Sequence, residues 1–202
     1  ELASFLDSLM AYLVIVVFLA VSGFITWWFG TDIFMRGVAD LSTFFQVADR
    51  TLFLVIPAIT MRTLAEERKT GTLDLLLTRA VTAQQVVHGK FLACLALVTL
   101  TLACTFPYYV TIAKLGPVDH GAVLCGYLGL LCMSAAYIAL GIFASSLTAN
   151  QVTAFVLGLF LMALFHFGFS VVAANTIGIV GEVFRHLSTG AHFDSMGRGV
   201  LD

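Results

Sequence analysis

The 202-residue chain is 60% hydrophobic and 11% charged, with a mean hydropathy of +1.01, a composition that excludes an ordinary water-soluble domain and marks an integral membrane protein. Its formal net charge of -2 offers no concentrated basic face for phosphate, so nucleic acid is excluded as a partner. The chain opens at Glu1 with neither an initiator Met nor a basic run ahead of its first apolar segment, as expected of an excerpt of a longer polypeptide and not of a secretory leader.

A hydrocarbon core about 30 Å thick takes roughly 20 apolar residues per helical span. Residues 1–9 are expected to form an amphipathic segment at the interface. Five spans follow, at about 10–29, 42–61, 89–113, 122–147 and 151–174. The first ends in Trp27 and Trp28, which suit the headgroup region. The second holds Asp49, Arg50 and Pro57, so its membrane portion is expected to begin near Arg50 and to continue as helix beyond Met61. Pro107 lies near the end of the third span, the fourth is free of charge, and His166 interrupts the fifth. No alternation of barrel type appears, so the fold class is an all-α polytopic membrane protein.

Residues 62–90 form a charged island between the second and third spans. They hold Arg62, Arg68, Lys69, Arg79 and Lys90, a denser basic cluster than Arg36, Arg50, Lys114, Arg185 and Arg198 on the other face. That density orients the loop, and the N-terminus with it, toward the cytoplasm. The helix of the second span is expected to leave the membrane through Leu64 to Lys69, stop at Gly71 and restart near Thr72. Leu73, Leu76 and Leu77 then share one face of a short helix lying along the membrane. Two readings of that piece stand open: leucines dipping into headgroups, or an element that docks a partner. Thr82 with Gln85 and Thr148 with Gln151 match the capping-box pattern at the starts of the third and fifth spans.

No nucleotide site is encoded, because GxxxxGK[ST] is absent and Gly89-Lys90 has neither the preceding glycine nor the following Ser or Thr. Cys94, Cys104, Cys125 and Cys132 lie within spans at no metal-binding spacing and read as small packing residues. Catalytic and metal-ligating residues are therefore expected to be absent. His166 reads as a hydrogen-bonded interior histidine. Asp49 and Arg50 read first as interfacial charges, with a substrate path or subunit contact as the alternative for all three. Ala135 with Ala139, and Gly141 with Ser145, are small-residue pairs on the fourth span that permit close helix packing. Residues 176–202 are too polar to span and are expected to form short helices that re-enter or cap the outer face, or a surface loop.

Pro57, Ala58, Met61, Arg62, Glu66, Glu67 and the run Lys69-Thr70-Gly71-Thr72-Leu73-Asp74-Leu75-Leu76-Leu77-Thr78, followed by Gly89-Lys90, resemble the signature of ABC-2-type transporter permeases. The segment from Gly141 to Gln151 is similar to the family's turn between its fourth and fifth spans, and the stretch from His192 to Asp202 resembles the lead into a sixth. The nearest form is the gliding-motility-associated permease F subunit. This resemblance implies a type V exporter-like permease with five spans present and the sixth missing from this chain, a cytoplasmic coupling loop at 62–88, and an extracytoplasmic segment at 175–202. It also implies a multi-pass location in the bacterial inner membrane. The implied partners are cytoplasmic ABC ATPase subunits binding ATP and Mg, a second permease copy or paralogue, membrane lipids and an extracytoplasmic protein. The coupling interface then falls on Glu66, Glu67, Arg68, Gly71, Thr72, Leu73, Asp74, Leu76, Leu77 and Thr78. Ala80 replaces a frequent proline after the leucine run, and Asp49-Arg50 replaces an apolar stretch. The expected function is a permease that couples a partner's ATP hydrolysis to transport; the alternative is a mechanotransmitting or anchoring subunit that moves no solute.

Overall fold

A computed structural model describes residues 9–28, 41–71, 82–176 and 178–197. Among these residues all the regular structure is helical, with no strand. Helix α1 runs Leu9–Trp28 and α2 runs Ser42–Thr60, followed by the short α3 at Ala65–Thr70. Helices α4 (Ala83–Ala103) and α5 (Phe106–Leu115) form one nearly continuous rod, and α6 spans His120–Leu147. The fifth rod consists of α7 (Gln151–Ala163), a π-helical turn at Leu164–Gly168 and α8 (Phe169–Asn175). Two short helices, α9 (Ile179–Leu187) and α10 (Thr189–Gly197), complete the described chain. Five helical segments are long and apolar enough to cross a membrane: Ala11–Trp28, Ser42–Thr70, Ala83–Leu115, His120–Leu147 and Gln151–Asn175.

Successive rods run antiparallel, so the breaks at 61–64 and 148–150 lie on one side of the bundle, here termed the loop side. Helix α6 is the hub and packs against α2, α4, α7 and α10, while α1 lies mainly on α2. In lipid there is no hydrophobic force between helices, and close backbone approach through small residues supplies the packing. Three glycines of α6 serve that purpose. A Cβ on Gly126 would overlap the ring of Phe45, one on Gly129 would press on Met196 and Phe193, and one on Gly141 would overlap the Thr60 hydroxyl. Gly141 and Ser145, paired by the sequence, do meet a neighbouring helix. Ala139 is exposed and Ala135 half-buried, so the other small pair marks no tight crossing.

Helix ends follow local chemistry. Thr82 caps α4 in a full capping box: its hydroxyl accepts from the Gln85 N–H, and its own N–H donates to Gln85 Oε1. The box expected at Thr148 and Gln151 is displaced. Asn150 caps α7 by accepting from the Val152 N–H, and Thr148 Oγ1 instead accepts from the Asn150 N–H. Asn150 stands two residues before that N–H and its side-chain carbonyl reaches it, so the cap falls to the asparagine and the threonine is left to the turn before it. Asp119, which carries no signal in the apolar pattern, caps α6 through the Gly121 and Ala122 N–H groups. Pro57 within α2 removes the N–H that would serve the Phe53 carbonyl, and Pro107 sits in the first turn of α5.

The third rod begins at Ala83, earlier than the expected 89, because the capping box starts the helix before the apolar run does. Residues 176–202 were expected on the outer face as re-entrant helices or a loop; α9 and α10 are helices, and α10 packs into the bundle along α6.

Gly141→Ala tests the tightest crossing. The added Cβ meets Thr60, whose hydroxyl is already committed to the Ile56 carbonyl at 2.9 Å and has little freedom to yield. The expected loss is about 1–3 kcal/mol, read as a lower thermal midpoint in detergent. Combining it with Thr60→Ala should recover part of that loss.

The candidate functional site: a loop-side elbow and a buried polar node

The elbow is the bend of 61–64 between α2 and α3. Its threonines turn back on the helix they end: Thr60 Oγ1 donates to the Ile56 carbonyl, and Thr63 Oγ1 donates to the Thr60 carbonyl at 2.7 Å. The residue at the N-cap of α3 is Leu64, which has no oxygen to offer the first N–H groups of the helix. Ser145, fully buried on α6, supplies the cap from outside. Its Oγ accepts from the N–H of Leu64 at 3.1 Å and of Ala65 at 3.0 Å, and its own O–H donates to the Met61 carbonyl at 3.2 Å. One hydroxyl therefore fastens both sides of the bend to the hub helix.

A charge pair fastens α3 on its other side. Lys90, only 3% exposed near the start of α4, places Nζ 2.5 Å from Glu67 Oε1. A desolvated pair of this kind is sensitive to loss of one partner, which strands the other charge in a poor solvent. The Arg62–Glu66 pair is different, at 3.4 Å with both side chains nearly half exposed, and contributes little. Arg68 and Lys69 are exposed in the last turn, where they complement the helix dipole. Gly71 ends α3 in the left-handed region, at φ 70°, with its N–H donating to the Arg68 carbonyl. The stop expected at Gly71 is thus observed. Thr72, Leu73, Asp74, Leu76, Leu77 and Thr78 lie outside the described residues. Beside the elbow, Lys69 and residues 148–152 line a recess of about 480 Å³ on the loop side.

The second cluster lies within the bundle toward the far side. Asp49 of α2 turns inward between helices: its side chain is 13% exposed and its Oδ2 lies 3.6 Å from His166 Nε2. The other ring nitrogen of His166, Nδ1, shares a 2.6 Å hydrogen bond with the Tyr137 hydroxyl of α6. The histidine it faces gives this inward carboxylate a partner, as ionisable groups within a helical bundle require. Arg50 points the other way and is exposed, so the structure brings together Asp49 and His166 but not Arg50. His166 sits at the middle of the π-helical turn. Its carbonyl accepts from Ser170 Oγ at 2.9 Å and from Ser188 Oγ at 3.4 Å, and the two serine hydroxyls are 2.6 Å apart.

Among the described residues no group of three His, Cys, Asp or Glu side chains is placed to hold a metal ion. Cys94 is buried in the core, while Cys104 and Cys132 are exposed on the apolar surface. Reading the residues alone missed Ser145 as a cap, Lys90 as a buried partner and Tyr137 as the histidine's neighbour. The one available signal was the Gly141–Ser145 spacing, which marks a close crossing but not a hydrogen-bonding role.

These features belong to a bundle of membrane-crossing helices with two built junctions, one at the loop side and one inside. No curated protein and no solved structure matches the chain. The family described as ABC-2 family transporter protein matches residues 51–189, which include the elbow, the whole of α6 and the π-helical turn. The chain therefore belongs to the ABC-2 family of transporter proteins and is a multi-pass membrane permease.

Proposed function

We propose that this permease works as one half of a membrane unit driven by cytoplasmic ABC ATPase subunits, and that the elbow is where their motion enters the membrane. ATP and Mg are then bound by the partner, and a second permease copy or paralogue completes the unit in the bacterial inner membrane. The observation that carries this reading is the double fastening of α3. A segment tied by Ser145 to α6 and by Glu67 to Lys90 of α4 passes a displacement to three spans at once. A loose polar loop would dissipate it. The basic density of 62–90 supports a cytoplasmic position for the elbow. The expected coupling segment from Thr72 to Thr78 continues directly from Gly71, with Leu73, Leu76 and Leu77 as its apolar contact and Asp74 beside them. Asp49 and His166 lie between helices, as a substrate path or a moving junction requires; Arg50 faces outward, as a subunit contact requires.

The direct test is Glu67→Lys combined with Leu76→Asp in the full-length permease, reconstituted with its ATPase. Membrane insertion should persist while substrate-coupled or partner-coupled ATP turnover falls about tenfold or more, a loss of about 1.4 kcal/mol or greater in the coupled step. Unchanged coupling would sink the proposal. A gliding-motility-type mechanotransmitter predicts another outcome for the purified wild-type complex: a large extracytoplasmic protein attached, a closed interface between permease halves, and coupling without solute movement.

A charge exchange tests the fastening itself. Glu67→Lys alone sets two cations together in a site with little water, and Lys90→Glu alone sets two carboxylates together. Each should lower stability by about 3–5 kcal/mol, whereas the double exchange should return a large part of it. The thermal midpoints of the four proteins in detergent give the coupling energy directly.

A further inference from the structure

The two short helices at the far side each carry a histidine near their junction, His186 in the last turn of α9 and His192 in the first turn of α10. Their ring centres lie 6.0 Å apart, with 31° between the ring planes. A nitrogen–metal bond of about 2.0–2.1 Å puts an ion about 3.2 Å from the centre of a ligating imidazole, so two such rings on one ion stand about 5.2 Å apart at the tetrahedral angle and up to about 6.4 Å apart at wider ones. The observed separation falls inside that interval.

Hydrogen bonding selects the nitrogen. His192 Nε2 lies 3.0 Å from the His186 backbone carbonyl. A carbonyl only accepts, so Nε2 carries the proton and the lone pair of the neutral ring is on Nδ1. Metal-binding histidines are held in this way, one ring nitrogen donating to a backbone carbonyl while the other meets the ion. The carbonyl belongs to the last turn of α9, where it lacks a partner within its own helix, so the helix end fixes the ring. His186 is exposed, and Glu182, one helical turn before it on the same face, is exposed as well.

We infer that His186 and His192 form a two-histidine site for a divalent transition-metal ion of the Zn2+ class, and that the ion ties α9 to α10. Imidazole is a ligand such ions favour, whereas Mg2+ and Ca2+ call for oxygen. Among the described residues no third His, Cys, Asp or Glu stands with the pair, so solvent completes the shell and the ion exchanges freely. Glu182 offsets the exposed Arg185 beside His186. The tie joins two parts of the bundle. Helix α9 seats Phe184 against Phe169 of α8, while α10 sets Phe193 and Met196 against Gly129 of α6. Direct contact between the two short helices is slight. An ion shared by the histidines therefore holds the end of the fifth rod to the hub helix where the protein itself makes few contacts, and acts as a brake on their relative movement.

Hydrogen exchange of the 185–193 amides in the full-length permease, freed of any affinity tag and held in nanodiscs, reads the tie. Zn2+ is the probe. Protection should rise about tenfold once free Zn2+ reaches about ten times its dissociation constant, and Mg2+ at the same concentration should change nothing. His186→Gln is the decisive variant, because it removes a ligand and keeps the backbone carbonyl that holds His192; it should abolish the Zn2+ response and leave metal-free exchange as in the wild type. His192→Gln should abolish the response too. Should that variant loosen the helices without metal, the imidazole 15N shifts of His192 decide: Zn2+ should move Nδ1 and leave Nε2 protonated. A full response in His186→Gln, an equal response to Mg2+, a response only at millimolar Zn2+ as an adventitious ion gives, or ligation through Nε2 would each overturn the inference. None of these readings involves an ATPase or a second permease, so the result stands apart from the fate of the elbow proposal.

Discussion

A backbone that bends at a membrane surface has to find partners for the polar groups the bend releases, and in this chain the bend between α2 and α3 finds them in one hydroxyl. Ser145 accepts from two N–H groups and donates to a carbonyl on the other side of the turn. It can do so only because Gly141, one helical turn earlier on the same face, lets α6 come into contact with Thr60. Gly158 of α7 closes the third side of that crossing, with Pro57, Ala144 and the Gly141 backbone around it. The small residues and the hydroxyl thus form one device: the first bring the backbones together, and the second uses the proximity to satisfy the bend.

Charge obeys the same economy of partners. The buried cation and the buried carboxylates of the described bundle sit in two places, Lys90 with Glu67 at the loop side and Asp49 with His166 toward the far side. The two are unlike in kind. An ammonium set against a carboxylate in a poorly hydrated site makes a tie whose rupture strands a charge. Asp49 instead meets an imidazole at the middle of the π-helical turn of the fifth rod. The first pair joins α3 to α4, and the second joins α2 to the fifth rod.

The parts of the fold that depend on local chemistry were legible in the residues. Apolar run length located the five rods, the Thr82–Gln85 box located the start of α4, and Gly71 located the end of α3. The failures have a common physical origin. Asn150 displaced Thr148 because capping is decided by which side chain reaches an N–H in three dimensions, and two adjacent candidates look alike in one. The partners of Asp49 were not legible because its neighbours in sequence are mixed, whereas its neighbours in space are Tyr137 and His166, 88 and 117 positions later. Lys90 was counted as a loop charge because nothing local indicates that α3 folds back over it. Each miss concerns a partner supplied by another helix, information that periodicity does not contain.

The two junctions are not mechanically separate. Helix α2 carries Asp49 at one junction and leads into the elbow at the other, and α6 carries Tyr137 at one and Ser145 at the other. The latter two are eight residues apart on a single helix, a rise of roughly 12 Å. A displacement of α3 that rotates or slides α6 against α2 therefore moves Tyr137 relative to Asp49, with no intermediate element needed to carry it. The glycines facing Phe45, Met196 and Thr60 line the α6 surfaces across which such a movement would run. Close-packed helices respond to such shear by shifting between discrete packings more readily than by bending. A displacement of α3, whatever its source, would thus reach the polar node as a change in side-chain geometry, because both sites are built from the same two helices.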